Sequence, residues 1–201
     1  MRIAPGSTFL LTGDSITDCG RARPIGEGAG LGDGYVRVVQ DRLPGVRVLN
    51  TGISGNTVRH LAGRWADDVA GPRPDWLSVM IGTNDVWRQF DRLDAPVDPV
   101  DYEATYAGLL HAIRPQVRGL ILMTPFLVEA NLADPMRARM DEYRAIVVRL
   151  AGRFGATLVD TQAVFNGALR THSVAELAPD RVHPTALGHT VLADALLAAL
   201  S

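Results

Sequence analysis

The chain has 201 residues, of which 47% are hydrophobic and 21% are charged, and its formal net charge at pH 7 is −2. This composition is typical of one globular domain, residues 1–201, and excludes a disordered or fibrous chain. All 20 basic residues are arginine, which excludes a lysine nucleophile, a lysine Schiff base and a phosphate-binding loop with its lysine. The balanced charge also excludes the basic surface of a nucleic-acid-binding protein.

Cysteine content and hydropathy limit where the chain works. The single cysteine, Cys19, excludes an intrachain disulfide. The N-terminus lacks the layout of a signal peptide, and no segment approaches the ~20 apolar residues that a membrane helix requires. We therefore expect a cytoplasmic protein with no membrane partner.

Short apolar runs of strand length alternate along the chain with longer segments of helical periodicity. In chain order the sequence predicts strand 8–12, helix 35–42, strand 46–50, helix 57–69, strand 76–81, helix 102–113, strand 119–124, helix 134–154, strand 156–160 and helix 185–200. Most of the strands are continuously apolar, which is typical of a parallel sheet covered on both faces. The alternation predicts a three-layer α/β domain.

Two loops carry weaker signals. Residues 26–34 (GEGAGLGDG) are dense in glycine, but they do not match G-x-G-x-x-G and do not directly follow a strand, so a mobile loop near the site is favoured over a dinucleotide site. Residues 89–99 carry Asp91, Asp94 and Asp98, which we interpret as a solvated loop rather than a metal site. We expect no metal and no cofactor.

Four polar blocks follow predicted strands or precede the last helix. Ser15 sits in GDSIT after the first strand, Gly55 in GISGNT after the second, and Asn84 in GTND after the third. Asp180 and His183 lie three residues apart in DRVHP, close enough to hydrogen-bond. Taken singly, each block also fits a helix cap, an ordinary turn or a surface histidine.

Together the blocks favour a catalytic site. Parallel strands bring their carboxyl ends to one edge of the sheet, which is where open α/β sheets hold their sites. The blocks supply a nucleophile (Ser15), a base (His183) with a residue able to orient it (Asp180), and oxyanion donors in Gly55 and Asn84. This is the full set of groups that acyl transfer requires.

At this point the chain resembles the SGNH, or GDSL-like, hydrolases, whose four blocks match GDSIT, GISGNT, GTND and DRVHP. The resemblance implies an α/β/α flavodoxin-like fold with a five-stranded parallel sheet, and it implies that Asp180 is the third triad member. Longer stretches such as GDSITDCGRARP, MIGTNDVWRQFD and DPMRARMDEY look like bacterial intracellular acetylxylan esterases. One difference is Pro179, where that subgroup has an aromatic residue.

The expected activity is removal of short acyl groups, in particular acetyl groups, from acetylated xylo-oligosaccharides by a serine esterase. We expect the tetrahedral oxyanion to be held by the N–H groups of Ser15 and Gly55 and by the amide of Asn84. Two rival activities stay open: a lysophospholipase or thioesterase on the same fold, and a carbohydrate-binding module without catalysis. A third, nucleotide or phosphate binding by residues 26–34, lacks both a lysine and the motif.

Further residues are expected to contact the substrate. They are Asp14, beside the nucleophile, and Trp87 and Arg88, which follow Asn84. The expected partner is a small acylated molecule, with no nucleic acid. By analogy with the family, the chain is expected to form a homo-oligomer.

Overall fold

A computed structural model describes residues 2–91 and 96–201. Its centre is a sheet of six strands in the order β2-β3-β1-β4-β5-β6. The strands are β1 Thr8–Gly13, β2 Gly26–Glu27, β3 Arg47–Asn50, β4 Trp76–Met80, β5 Gly119–Met123 and β6 Thr157–Val159. β2 runs antiparallel to β3, and the other neighbouring strands are parallel.

The α/β fold with its five parallel strands is confirmed, and the strand count needs one correction. Without β2, the order of the parallel strands is that of a flavodoxin-like sheet. The additional strand lies in the glycine-dense stretch, where Gly26 faces Asn50 across the edge of the sheet. A Cβ on Gly26 would lie 2.6 Å from the carbonyl oxygen of Gly30, so a glycine fits this tight edge. Two residues are too short a strand for an apolar pattern to reveal.

Nine helices cover the two faces of the sheet in the part of the chain that the structure describes. They are α1 Ser15–Asp18, α2 Tyr35–Arg42, α3 Val58–Gly63, α4 Thr83–Asp91, α5 Pro99–Ile113, α6 Pro135–Phe154, α7 Thr161–Ala168, α8 Val174–Leu177 and α9 Ala186–Ala199. Side chains of α3 to α6 share one buried core with one face of the sheet. Side chains of α1, α2 and α7 to α9 form the core on the other face.

The predicted helices differ from the observed ones mainly at their ends. The segment 57–69 is split: α3 ends at Gly63 and a separate π-helical turn, Ala66–Ala70, follows. α5 begins at Pro99 because the carboxylate of Asp98 caps it, accepting two backbone N–H groups. Residues 89–99 are therefore not one loop, since Asp91 ends α4 and Asp98 caps α5; Asp94 lies outside the described residues.

The topology brings the polar blocks to one edge. β1 and β4 run directly into α1 and α4, and the loop between β3 and α3 lies beside them. Because these strands are parallel, the segments after them meet at the carboxyl edge of the sheet. Among the described residues, no helix is both long and apolar enough to cross a membrane.

Candidate active site

The turn that carries Ser15 is fixed by the sheet and by a side-chain cap. A Cβ on Gly13, the last residue of β1, would lie 2.1 Å from the carbonyl oxygen of Met80, so only glycine allows this approach. The next residue, Asp14, caps α1 by accepting the backbone N–H of Ile16 at 3.1 Å. Ser15 is consequently the first residue of a short helix, directly past the end of the sheet.

His183, in the loop between α8 and α9, has partners on both ring nitrogens. Its Nε2 is 3.0 Å from Oγ of Ser15, and its Nδ1 is 2.6 Å from a carboxylate oxygen of Asp180. A carboxylate only accepts hydrogen bonds, so Nδ1 carries the proton and donates it to Asp180. In the neutral ring, this tautomer leaves Nε2 to accept the hydroxyl proton of Ser15.

Asp180 is held towards the imidazole by its own loop. One carboxylate oxygen accepts the backbone N–H groups of His183 at 2.7 Å and of Val182 at 3.0 Å. Partial burial alone would raise the pKa of Asp180, but the hydrogen bonds from the His183 ring and from these two N–H groups outweigh it and hold the pKa below its usual value. The carboxylate is therefore ionised at neutral pH and is aimed at Nδ1.

Hydrogen donors line the other side of Ser15. Gly55 has φ +79°, and a Cβ there would meet only a guanidinium nitrogen of Arg88 at 3.9 Å, so its backbone is open to the cleft. The amide of Asn84 donates one hydrogen to the carbonyl oxygen of Asn56 at 3.1 Å, which orients it and leaves its second N–H available. Ser15, Gly55, Asn84 and His183 all line one cleft of about 620 Å³.

Two ionisable side chains, the fully buried Asp85 and the largely buried Arg64, hold both ends of the loop that carries Gly55. Beyond the loop, both oxygens of Asp85 lie within hydrogen-bond distance of the N–H of Val58, the first residue of α3, at 3.0 and 3.2 Å. Before the loop, Arg64 donates to the carbonyl oxygen of Thr51 at 2.6 Å and to the carbonyl oxygen at the end of β1 at 2.9 Å. Asp85 follows Asn84 directly, so the two donor-bearing segments are tied to each other.

Burial changes the acidity of two carboxyl groups beneath the site. Asp14 is 1% exposed, and burial raises its pKa to about 6 against the opposing effects of the Ile16 N–H and the charge of His183. Asp85 is fully buried, and burial raises its pKa to about 7, with the charge of Asp14 adding to the shift. Among the described residues, Oδ2 of Asp14 has no hydrogen-bond partner. Both carboxyls are thus partly protonated near neutral pH.

Two of the three predicted substrate contacts line the cleft. The Trp87 ring centroid is 5.8 Å from that of His183, and Arg88 lines the same cleft while its guanidinium donates to Asp91 at 2.6 Å. Asp14 needs a correction, because its side chain is buried under α1 and does not line the cleft. Adjacency to Ser15 in the sequence did not reveal that the carboxylate turns inwards as a helix cap.

The cleft also contains two residues that sequence reasoning missed. They are His189 and Cys19, with Nε2 of His189 3.4 Å from the sulfur of Cys19, which is partly buried. The backbone N–H of Tyr35 donates to Nδ1 of His189 at 3.2 Å. Burial, together with the nearby charge of His183, lowers the pKa of His189 to about 4, so this ring stays neutral at working pH. Neither residue lies in one of the four polar blocks.

Taken together, the cleft contains a hydroxyl bonded to an oriented imidazole, with donors on the opposite side. This arrangement can attack a carbonyl carbon and stabilise the charge that develops on its oxygen. Within residues 2–91 and 96–201, no three His, Cys, Asp or Glu side chains come together as a metal site.

Comparison with known proteins gives consistent matches along the chain. The sequence profile of the GDSL-like lipase/acylhydrolase family matches residues 11–191. An acetylxylan esterase from Geobacillus stearothermophilus is 51% identical over 208 residues, covering 98% of this chain and 95% of that protein.

The solved structures agree with this result. A crystal structure of an acetylxylan esterase from the same organism superposes with a TM-score of 0.95 at 50% identity, covering 100% of this chain and 97% of that chain. An α/β hydrolase enzyme from the metagenome of Lake Arreo, Spain, gives a TM-score of 0.95 at 46% identity, covering 98% and 96% of the two chains. At these identities and coverages the similarity extends beyond the fold to the amino-acid sequence along nearly the whole chain.

Proposed function

Because the chain belongs to the GDSL-like lipase/acylhydrolase family and is a carboxylic ester hydrolase, we propose that it removes acetyl groups from xylan-type carbohydrate by a serine mechanism. Ser15 is the proposed nucleophile, His183 the base and Asp180 the residue that orients it. The observation that carries this proposal is the unbroken line of hydrogen bonds from Ser15 Oγ through both nitrogens of His183 to Asp180.

In the proposed first step, Oγ of Ser15 attacks the acetyl carbonyl carbon while Nε2 of His183 takes the hydroxyl proton. The carbonyl oxygen becomes an oxyanion, held by the backbone N–H groups of Ser15 and Gly55 and by the free N–H of Asn84. When the tetrahedral intermediate collapses, the bond to the sugar oxygen breaks, and the His183 imidazolium protonates that oxygen. The products are a free sugar hydroxyl and an acetyl group on Ser15.

In the proposed second step, a water molecule takes the place of the sugar. His183 accepts a proton from the water, the resulting nucleophile attacks the acetyl carbon, and the same donors hold the second oxyanion. Collapse returns the proton to Ser15 Oγ and releases acetate. Asp180 stays ionised throughout and stabilises the imidazolium that forms twice in each cycle.

An acylated carbohydrate substrate is supported by the acetylxylan esterase relatives, and the acetylated xylo-oligosaccharide is our more specific proposal. The cleft beside Trp87 combines aromatic and polar groups, as small-molecule sites generally do. The cytoplasmic location, the single domain and the homo-oligomer expected from the sequence stay predictions. Light scattering on the purified protein tests the last of these.

Acetate release from acetylated xylo-oligosaccharides tests the proposal. We expect the wild-type protein to release acetate and Ser15→Ala to release almost none, with its circular dichroism spectrum unchanged. Ser54→Ala is the matched control, because Ser54 also lines the cleft but its hydroxyl donates to the carboxylate of Asp18 at 2.9 Å. A fluorophosphonate should label the wild type and Ser54→Ala but not Ser15→Ala. Turnover by Ser15→Ala at the wild-type rate would end the assignment.

A series of p-nitrophenyl esters tests the acyl group. We expect kcat/KM to be highest for acetate and to fall as the acyl chain lengthens. A preference for chains of eight carbons or more would instead support the lysophospholipase or thioesterase alternative. Acetate release from other acetylated sugars, measured alongside, tests the preference for xylose units.

A further inference from the structure

A second hollow lies directly beside the catalytic cleft. It encloses about 300 Å³, and Trp87 and Asp91 line both spaces. Its remaining lining includes Phe90 from α4, Met136 at the start of α6, and Arg181 from the loop that carries the proposed triad residues. The hollow is thus adjacent to the cleft, and Trp87 borders both spaces.

The hollow combines an exposed aromatic side chain with charged groups in ion pairs. Phe90 is 47% exposed, and among the Phe, Tyr and Trp residues in the described part of the chain it is the one that is exposed. Facing this apolar side are charged groups that already have partners: Arg181 bonds Asp134 at 2.9 Å and Glu129 at 3.1 Å.

This combination discriminates between classes of ligand. An acyl chain would remove water from the ion pairs of Arg181 and offer them no hydrogen bonds in return. A phosphate would have to compete with the two carboxylates that Arg181 already binds. A sugar ring presents apolar C–H groups on its faces and hydroxyls around its edge. Its face matches Phe90 and Trp87, and its hydroxyls can donate to the carboxylate oxygens of Asp91 and Asp134.

The direction of the substrate follows from the proposed mechanism. His183 must protonate the departing sugar oxygen, so the sugar lies against His183 when the ester breaks. The ring of Trp87 is next to that imidazole, at 5.8 Å between centroids. A sugar chain that leaves the imidazole along Trp87 therefore runs into the hollow that contains Phe90.

We propose that this hollow is a second sugar subsite, which binds the unit next to the deacetylated one in an oligosaccharide. This inference rests on the proposed function and makes it more specific, because it gives the enzyme a preference for chains of two or more sugar units over a single acetylated sugar. Phe90 is then a specificity-determining residue that takes no part in the chemical step.

The test compares three acetylated substrates, p-nitrophenyl acetate, methyl xyloside acetate and xylotriose acetate, with three variants. Phe90→Ala removes the ring, and Phe90→Tyr keeps it. Val100→Ala is the control, because Val100 is also exposed, at 79%, but lies on α5 outside both spaces. For Phe90→Ala we expect KM for xylotriose acetate to rise about fivefold. Its KM for methyl xyloside acetate and its kcat for p-nitrophenyl acetate should stay within twofold of the wild type.

Phe90→Tyr and Val100→Ala should keep wild-type values for all three substrates. A loss of folding in Phe90→Ala would change the kinetics of all three substrates together. The wild type then still decides, because an equal KM for xylotriose acetate and methyl xyloside acetate would overturn the subsite. If Phe90→Ala acts on xylotriose acetate with the wild-type KM, the subsite is overturned while the proposed function stands. If the wild type hydrolyses p-nitrophenyl acetate but releases no acetate from either sugar, the proposed function and the subsite are both overturned.

Discussion

Asp85 offers a test of how the oxyanion side of the cleft is built. Its carboxylate is fully buried and contacts the N–H of Val58 at the start of α3. Burial raises its pKa from 3.8 to about 7. Asp85→Asn removes the titration but keeps an oxygen that accepts the Val58 N–H, whereas Asp85→Ala removes both.

The sign of the effect on stability follows from proton linkage. In the unfolded chain Asp85 loses its proton near pH 3.8, while in the native protein it keeps it to about pH 7. Within this window the native state binds more protons, so the contribution of Asp85 to stability is full below pH 3.8 and is lost as the pH rises to about 7. A shift of about three units corresponds to on the order of 4 kcal/mol at most, of which roughly 2–3 kcal/mol falls between pH 5 and pH 8.

Urea unfolding at several pH values measures this contribution. The free energy of unfolding of Asp85→Asn minus that of the wild type should increase by roughly 2–3 kcal/mol from pH 5 to pH 8. The lowered pKa of His189 acts in the opposite direction between about pH 4 and 6.5, but it is common to both proteins and cancels in the difference. Asp41→Asn, which changes an exposed carboxylate on the opposite face of the sheet, serves as control.

Activity separates the two variants of Asp85. We expect Asp85→Asn to keep wild-type kcat, and Asp85→Ala to lose at least tenfold in kcat with little change in KM, because the Gly55 loop loses its tie to α4. In an Asn84→Ala background the loss from Asp85→Ala should be much smaller if Asp85 acts through the oxyanion donors. A stability difference between Asp85→Asn and the wild type that does not change with pH, or that decreases towards pH 8, would refute the reasoning on burial. Fully additive losses in kcat from Asn84→Ala and Asp85→Ala would refute the conclusion that Asp85 acts through the oxyanion donors.

Three further variants test the rest of the site. Asn84→Ala should lower kcat for p-nitrophenyl acetate by on the order of 10²–10³ with little change in KM, and a loss of less than threefold would argue against an oxyanion role. Asp180→Asn should lower kcat by roughly 10⁴, because the new amide can donate to Nδ1 of His183 and so favour the tautomer whose proton is on Nε2. Steady-state kinetics at pH 8 measures this loss, and a near-normal kcat would contradict the assigned roles. Gly52→Ala should lower the midpoint of thermal unfolding much more than Gly55→Ala, because a Cβ on Gly52 would lie 2.4 Å from a backbone nitrogen, while one on Gly55 would meet only a guanidinium nitrogen at 3.9 Å. Equal shifts would contradict this packing.

The long elements could be predicted because burial leaves a periodic or continuous apolar pattern. β4 and β5 are buried along their whole length, so the runs at 76–81 and 119–124 contain few polar residues. Shorter elements leave no such pattern. α1 and α8 have four residues each, and their ends are set by caps from Asp14 and Ser173, so the sequence suggests a turn as readily as a helix.

The candidate site was predictable only where a motif marks a strand end. Ser15, Gly55 and Asn84 each follow a predicted strand closely, so the topology alone brings them to one edge. The contacts of Arg64 and His189 could not be predicted, because they join segments far apart in the chain: Arg64 bonds a carbonyl 51 residues away, and His189 bonds an N–H 154 residues away. Neither contact has a local signature.

The two sides of the cleft are held by different physical means, and this difference matches their proposed tasks. On the donor side, Asp85 and Arg64 are largely buried and fix the backbone around Gly55, so the donors need little rearrangement when charge appears. On the acid–base side, the side chains of Asp180 and His183 are 48% and 47% exposed and are oriented by hydrogen bonds. Because that side is open, a large alcohol can leave and water can enter without movement of the donor side. The open side adjoins Trp87, which is the side where the proposed sugar chain departs.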